Sequence, residues 1–298
     1  MCGLLLVNKP SGITSFAVVA KIKKITGEKH VGHTGTLDPM ATGVLPVLIG
    51  RATKLSDLML CKDKCYKARI KLGVTTDTLD ITGNILSEKP ISVNIDEVDE
   101  ALNRFTGEIM QSPPAFSAIK RDGVPLYRLA REGKEVEIGE RKVTVFSLNR
   151  ETDINKDNEF EVSCRVSKGT YIRSLARDIG EYLKTGATLT ALCRTNTAGF
   201  DIKDCVCLDK LNKENISDYI LPADFAVRDL KAVNVTKPQA VRFSNGGCLD
   251  FMRLPYCDYA DGENVKIYYK DEFLGVAVAE KYAGALKVRC IINSAGKE

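Results

Sequence analysis

The sequence predicts an α+β fold. Short runs that alternate apolar and polar residues are interleaved with amphipathic stretches of helical spacing, and few of them form regular βαβ units. Near Pro222 to Leu230 the character changes, and the remainder is short and strand-rich, of a size within the lower range for domains.

In chain order, Gly3 to Val7 is an apolar run closed by Pro10 and reads as a buried strand. Thr14 or Ser15 is placed to cap a helix that ends near Gly27. Val44 to Ile49, apolar and bounded by glycines, is a second strand, and a helix is expected from about Thr53 to Leu60. Tyr66 to Leu72 alternates, as a strand with one buried face does. Ile95 to Phe105 has helical spacing, and Pro113-Pro114 breaks the chain after it. Residues 116–142 are dense in charge of both signs and read as a surface excursion with a short helix. Val143 to Leu148 and Glu159 to Val166 form an antiparallel pair across the polar turn Asp153 to Asn158. Tyr171 to Leu183 gathers Ile172, Leu175, Ala176, Ile179 and Leu183 on one face, a helix lying on the sheet. The remainder holds a helix, Lys237 to Asn245, and strands at Lys266 to Tyr269, Phe273 to Glu280 and Lys287 to Ile292. The expected domains are 1–225 and 229–293.

The chain has 298 residues, 44% hydrophobic and 28% charged, a composition ordinary for soluble globular proteins. No apolar run reaches bilayer length, and the opening Met1 to Pro10 lacks the basic leader of a signal peptide. A cytoplasmic protein without membrane contact is expected. Ten cysteines without paired C-x-x-C spacing argue against zinc and read as mostly reduced core residues. With two histidines in the whole chain, a cysteine nucleophile lacks a ready base. The net charge of +4 is mild, yet Arg51 to Lys71 carries seven basic residues against two acidic. A phosphate-bearing substrate and an ordinary solvated connection explain that segment equally well.

The segment Gly32 to Gly43, Gly-His-Thr-Gly-Thr-Leu-Asp-Pro-Met-Ala-Thr-Gly, carries the most chemistry. Pro39 restricts its own φ and the conformation of Asp38, and glycines allow close approach of a ligand. Turn statistics alone favour a capping aspartate. Other motifs change that reading: Lys9-Pro10-x-Gly12-x-Thr14-Ser15; Tyr66-x-Ala68 leading to Gly73-x-Thr75-Thr76-Asp77-Thr78-x-Asp80; Gln111-Ser112-Pro113-Pro114-x-x-Ser117-Ala118-x-Lys120; and Ser167-Lys168-Gly169-Thr170-Tyr171-Ile172-Arg173.

Together, and in this order over about the first 200 residues, these motifs resemble the TruB family of tRNA pseudouridine-55 synthases. The resemblance implies a pseudouridine synthase fold, with a central mixed, mainly antiparallel sheet flanked by helices and a small β-rich PUA-like C-terminal domain. It implies cleavage of the N1–C1′ bond of one T-loop uridine, rotation of the base and rejoining through C5, with no cofactor and no metal. Asp38 becomes the essential aspartate, Tyr66 the ring under the target base, and Arg173 the partner of Asp38. His33 takes the vacated place of the flipped base, and Tyr171 and Leu192 belong to the pocket. Lys120, Arg121 and Arg128 lie in the excursion that clamps the T-loop. Lys9 is a further candidate for RNA contact, although with Pro10 it reads better as shaping the loop. The expected partner is tRNA, through its T-loop and, with the C-terminal domain, its acceptor region, bound by a monomer.

Elementary chemistry agrees with these roles. Flipping a base out of an RNA fold requires a few kcal/mol, and stacking on an aromatic ring returns roughly 1–3 kcal/mol. Cleaving the glycosidic bond builds positive charge at C1′, which a carboxylate stabilises. Burial disfavours that carboxylate's charge and a neighbouring arginine favours it. Without the resemblance, Tyr66 reads as a half-buried strand residue, Arg173 as a surface ion-pair partner, Leu192 as core, and Thr76 to Asp80 as a polar turn. From Arg228 onward eleven basic and nine acidic residues nearly balance, so RNA binding there rests on the resemblance. Two rivals are a non-catalytic RNA-binding or tRNA-folding module and a guide-RNA-dependent relative. The joint presence of Asp38, Tyr66 and Arg173 argues against the first. The second predicts terminal extensions and basic tails that this sequence does not show.

Overall fold

The computed structural model describes residues 1–60, 62–117, 119–121, 123–132, 139–255 and 258–294. Its centre is an eleven-stranded sheet whose main path runs from Val206–Cys207 through Gly3–Lys9, Thr42–Ile49, Ala187–Thr197, Lys64–Leu72, Glu159–Val166 and Arg141–Arg150 to Gly107–Gln111. Neighbours pair antiparallel except Gly3–Lys9 with Val206–Cys207 and Thr42–Ile49 with Ala187–Thr197. The mixed, mainly antiparallel sheet is therefore as expected.

The helices follow from their ends. Thr14 accepts from the Ala17 amide to open Ser15–Thr26, and Gly27 closes it in the left-handed region. Asn94 and Glu97 form a capping box at the start of Ile95–Arg104. Ile172–Tyr182 buries Ile172, Leu175, Ala176 and Ile179 against the sheet, as its spacing predicts.

Two expectations need correction. The helix expected from Thr53 begins as a 3-10 turn, Gly50–Leu55, and becomes α-helical only over Ser56–Leu60. The start is tight because Gly50 (φ +64°) lies against the Met1 carbonyl oxygen, 2.3 Å from where a β-carbon would stand. The cysteines are free but mostly not core: of the eight described, only Cys164 and Cys290 are buried.

A second sheet runs Lys231–Asn234, Asn264–Tyr269, Glu272–Glu280, Ala285–Ile291 and Leu249–Asp250. The helix Lys237–Ser244 covers it, opened by a Thr236–Gln239 capping box. Phe243, Val265, Ile267, Leu274 and Leu286 fill its own core. Its opposite side shares a core with the first sheet, where Phe273, Val276 and Ile292 meet Leu4, Val44 and Leu48. Arg51 and Lys54 bond the carbonyls of Ile292 and Ile291 across this junction. No helix among the described residues is long and apolar enough to cross a membrane.

Candidate active site

The loop between Val31–His33 and Thr42–Ile49 is held from beneath by buried polar groups. Lys9, 0% exposed, donates from Nζ to the carbonyls of Pro10 (2.9 Å), Pro39 (3.1 Å) and Ala41 (2.7 Å). The Ser15 hydroxyl donates to the Leu37 carbonyl (3.1 Å) and accepts from the Leu37 amide (2.9 Å). Gly12 donates to the Pro39 carbonyl, and Ala41 to that of Asp38. Burial is the main cause that brings the Lys9 ammonium down to about 8 from 10.5; Asp38 opposes the shift and Arg194 adds to it. Placed this way, Lys9 is removed from any RNA-facing surface, and the expectation that it touches RNA is corrected. Its Nζ serves the Pro10 and Ala41 carbonyls and shares that of Pro39 with the Gly12 amide.

Asp38 faces outward from this frame, its side chain 29% exposed. Arg173, in the first turn of Ile172–Tyr182, grips it with two bonds, Nε to Oδ2 and Nη2 to Oδ1, both 2.9 Å. The fork geometry suits a carboxylate and orients it as well as pairing it. The remaining guanidinium donors reach the carbonyls of Thr78 (2.8 Å) and Phe116 (2.9 Å), with Asp80 Oδ2 at 3.8 Å. Asp80, itself buried, is held by Thr78 and Thr82. The polar turn expected at Thr76 to Asp80 thus has a role beside the pocket: it seats the arginine.

Tyr66 lies on the inward face of Lys64–Leu72 with Ala68, Ile70 and Leu72, as the alternation predicts. Burial raises its phenol, opposed mainly by the charge of Arg194. Leu192 pairs in register with Ala68 on the neighbouring strand and is buried. Tyr171 is the residue before the helix, its backbone clamped by Gln111 through Oε1 (2.8 Å) and Nε2 (3.1 Å). The Arg141 guanidinium stands 4.7 Å over its ring. His33 ends the strand Val31–His33, and its Nδ1 is buried without a hydrogen-bond partner among the described residues. Burial, and then Arg194, lowers its imidazole from 6.5, which favours the neutral ring.

The structure therefore pairs Asp38 with Arg173, puts the Tyr66 phenol within reach of the Asp38 charge, and bonds the Leu192 carbonyl to the Thr42 hydroxyl at the end of the loop. The excursion is described in part. Lys120–Arg121 pairs with Val124–Pro125, and Arg128 is exposed on the short helix Leu126–Arg131. Residues 133–138 of that excursion lie outside the described residues.

Sequence reasoning missed Arg194, the largest fully buried side chain, 1% exposed. Its Nε donates to the Val44 carbonyl (2.8 Å) and its Nη2 to the Gly35 carbonyl (3.0 Å). The signal was faint. An arginine two residues after Leu192 falls on the same face only if Ala187–Thr197 is recognised as a strand.

A family model described as TruB family pseudouridylate synthase (N terminal domain) matches residues 23–172, and one for the tRNA pseudouridylate synthase B C-terminal domain matches 173–228. The chain belongs to the TruB family. A TruB relative from Clostridium tetani (strain Massachusetts / E88), named tRNA pseudouridine synthase B, is 43% identical over 94% of this chain and 96% of its own. One of the same name from Azoarcus sp. (strain BH72) is 42% identical over 97% and 94%. Among solved structures, a chain in a Cbf5-Nop10-Gar1 complex is 26% identical with a TM-score of 0.75, covering 97% of this chain and 84% of that one. The TruB fold thus spans nearly the whole sequence.

Proposed function

We infer that the protein converts a uridine of tRNA to pseudouridine, and that the uridine is position 55 of the T-loop. The observation that carries the reading is the forked Asp38–Arg173 pair, which holds a partly exposed carboxylate at a fixed orientation, its charge within reach of the Tyr66 phenol. The extruded base stacks on Tyr66 against Leu192, while neutral His33 fills the place it leaves. Asp38 acts at C1′ as the N1–C1′ bond breaks. The base then turns, C5 bonds to C1′, the C5 proton leaves and N1 is protonated, so the product is an isomer. Lys120, Arg121 and Arg128 grip the T-loop backbone, and Tyr171 borders the pocket.

The C-terminal sheet acts as the PUA-like partner of the catalytic part and contacts the acceptor region as a fixture of a monomeric enzyme. An open cleft of about 950 Å³ lined by Gln239, Arg242, Met252 and Arg253 supports this.

The test is to incubate unmodified tRNA with wild type and Asp38→Asn, then map pseudouridine. Product at one T-loop site from wild type, none from the variant, and comparable tRNA binding by both are expected. Pseudouridine formed by Asp38→Asn at the wild-type rate would remove Asp38 from the chemistry.

A further inference from the structure

Arg194 is a fully buried guanidinium, and its described hydrogen bonds go to backbone carbonyls, none to a carboxylate. Burying such a charge is costly unless its donors are met with good geometry. Nearby Asp38 and Asp80 both face Arg173 instead. A buried cation with no ion pair among the described residues is better explained by what it fixes than by the stability it confers.

Its position on Ala187–Thr197 shows what it fixes. Arg194 is directly opposite Tyr66 on one side and Gly43 on the other. Gly43 (φ +102°) presses so closely that a β-carbon there would lie 2.2 Å from the Arg194 carbonyl oxygen. The guanidinium then reaches two carbonyls that flank Asp38 in the chain, Gly35 in the loop and Val44 on the strand after it, and its charge bears on the Tyr66 phenol across the strand pair.

We propose that Arg194 is a positioning residue that locks the Tyr66 phenol and both shoulders of the Asp38 loop into one frame. The proposal rests on the reading of Tyr66 as the ring that receives the target base. Arg194 meets no substrate; it sets the angle and depth of the groups that do. A lysine keeps the charge but has no planar fork to span the two carbonyls while lying against the phenol.

The experiment is a double-mutant cycle on single-turnover pseudouridine formation with saturating enzyme, alongside tRNA binding and thermal unfolding. Arg194→Lys is expected to slow the bound step by roughly 30-fold and change tRNA affinity by less than about 3-fold, the mark of an interaction lost after binding. In a Tyr66→Phe background the same substitution is expected to slow it by less than about 5-fold, because the shared contact is already gone. Equal fold-losses in both backgrounds overturn the proposal. Where Arg194→Lys does not fold, Arg194→Gln replaces it in the cycle. Guanidinium nitrogen NMR reads the contact without altering Arg194. Tyr66→Phe should shift an Nη signal of Arg194 and leave the Nε signal, bonded to Val44, in place; an unmoved Nη signal overturns the proposal. If Tyr66→Phe and Tyr66→Ala both react at the wild-type rate, it is the reading of Tyr66 that fails. If they are impaired and the cycle is additive, it is Arg194's part that fails.

Discussion

The catalytic loop and the C-terminal sheet are held together in opposite ways. Under the loop, Lys9, Ser15, Arg173 and Arg194 are buried polar or charged groups, each aimed at named oxygens. In the C-terminal sheet, Phe243, Val265, Ile267, Leu274 and Leu286 cohere through apolar contact. Directional bonds give one geometry and fail abruptly when a partner is removed. Apolar burial is non-directional, and its loss scales with the area and volume removed. The site therefore trades tolerance for exact placement, and the C-terminal sheet does the reverse.

Three substitutions test this contrast, in descending order of expected effect. Arg173→Met leaves Asp38 without its fork, and turnover is expected to fall by roughly 10³-fold, as when a preorganised electrostatic partner is removed. Single-turnover assays at a temperature where the variant is folded check it; a loss under tenfold would mean the fork does not set the carboxylate. Phe243→Ala removes a fully buried ring from the C-terminal core and should destabilise the protein by about 3–5 kcal/mol. The same variant, assayed well below its melting temperature with saturating tRNA, should react at near the wild-type rate. A matching loss of chemistry would break the contrast. The smallest effect concerns Lys9, whose folded value of about 8 lies below 10.5. Between these values the folded state has lost a proton that the unfolded chain keeps. Relative to Lys9→Met, wild-type stability should therefore rise with pH in this window, by at most about 1.4 kcal/mol per pH unit. Turnover should fall above pH 8 in wild type, because a neutral amine has two N–H groups for three carbonyls. Denaturant melts and rate profiles over pH 7–10 check both, and a flat stability difference would remove Lys9 as the titrating group.

Much of this was legible in the sequence, for identifiable reasons. Tyr66 to Leu72 alternates cleanly, so both the strand and its inward face were readable. Asp38, Tyr66 and Arg173 stand in motifs whose order is informative beyond any single turn. The strand Ala187–Thr197 was not foreseen, although it lies at the middle of the sheet. Register shifts between Leu189 and Ala191 and between Arg194 and Asn196 interrupt its period of two. An arginine pointing inward also imitates an outward position. Lys9 was read as shaping the loop, and its second reading as an RNA contact arose for the same reason: a lysine reads as surface until three carbonyls are seen around it.

The apolar junction between the two sheets has a mechanical consequence. Val44, next to the glycine that closes the loop, shares a core with Phe273, Val276 and Ile292. A joint of that kind resists swinging, unlike the small polar contacts between domains that move freely. The molecule behaves as a caliper whose gap is set on folding, before any RNA arrives. On the function proposed above, a tRNA of the right dimensions would meet both jaws at once, and one whose arms are the wrong length would touch one jaw and leave.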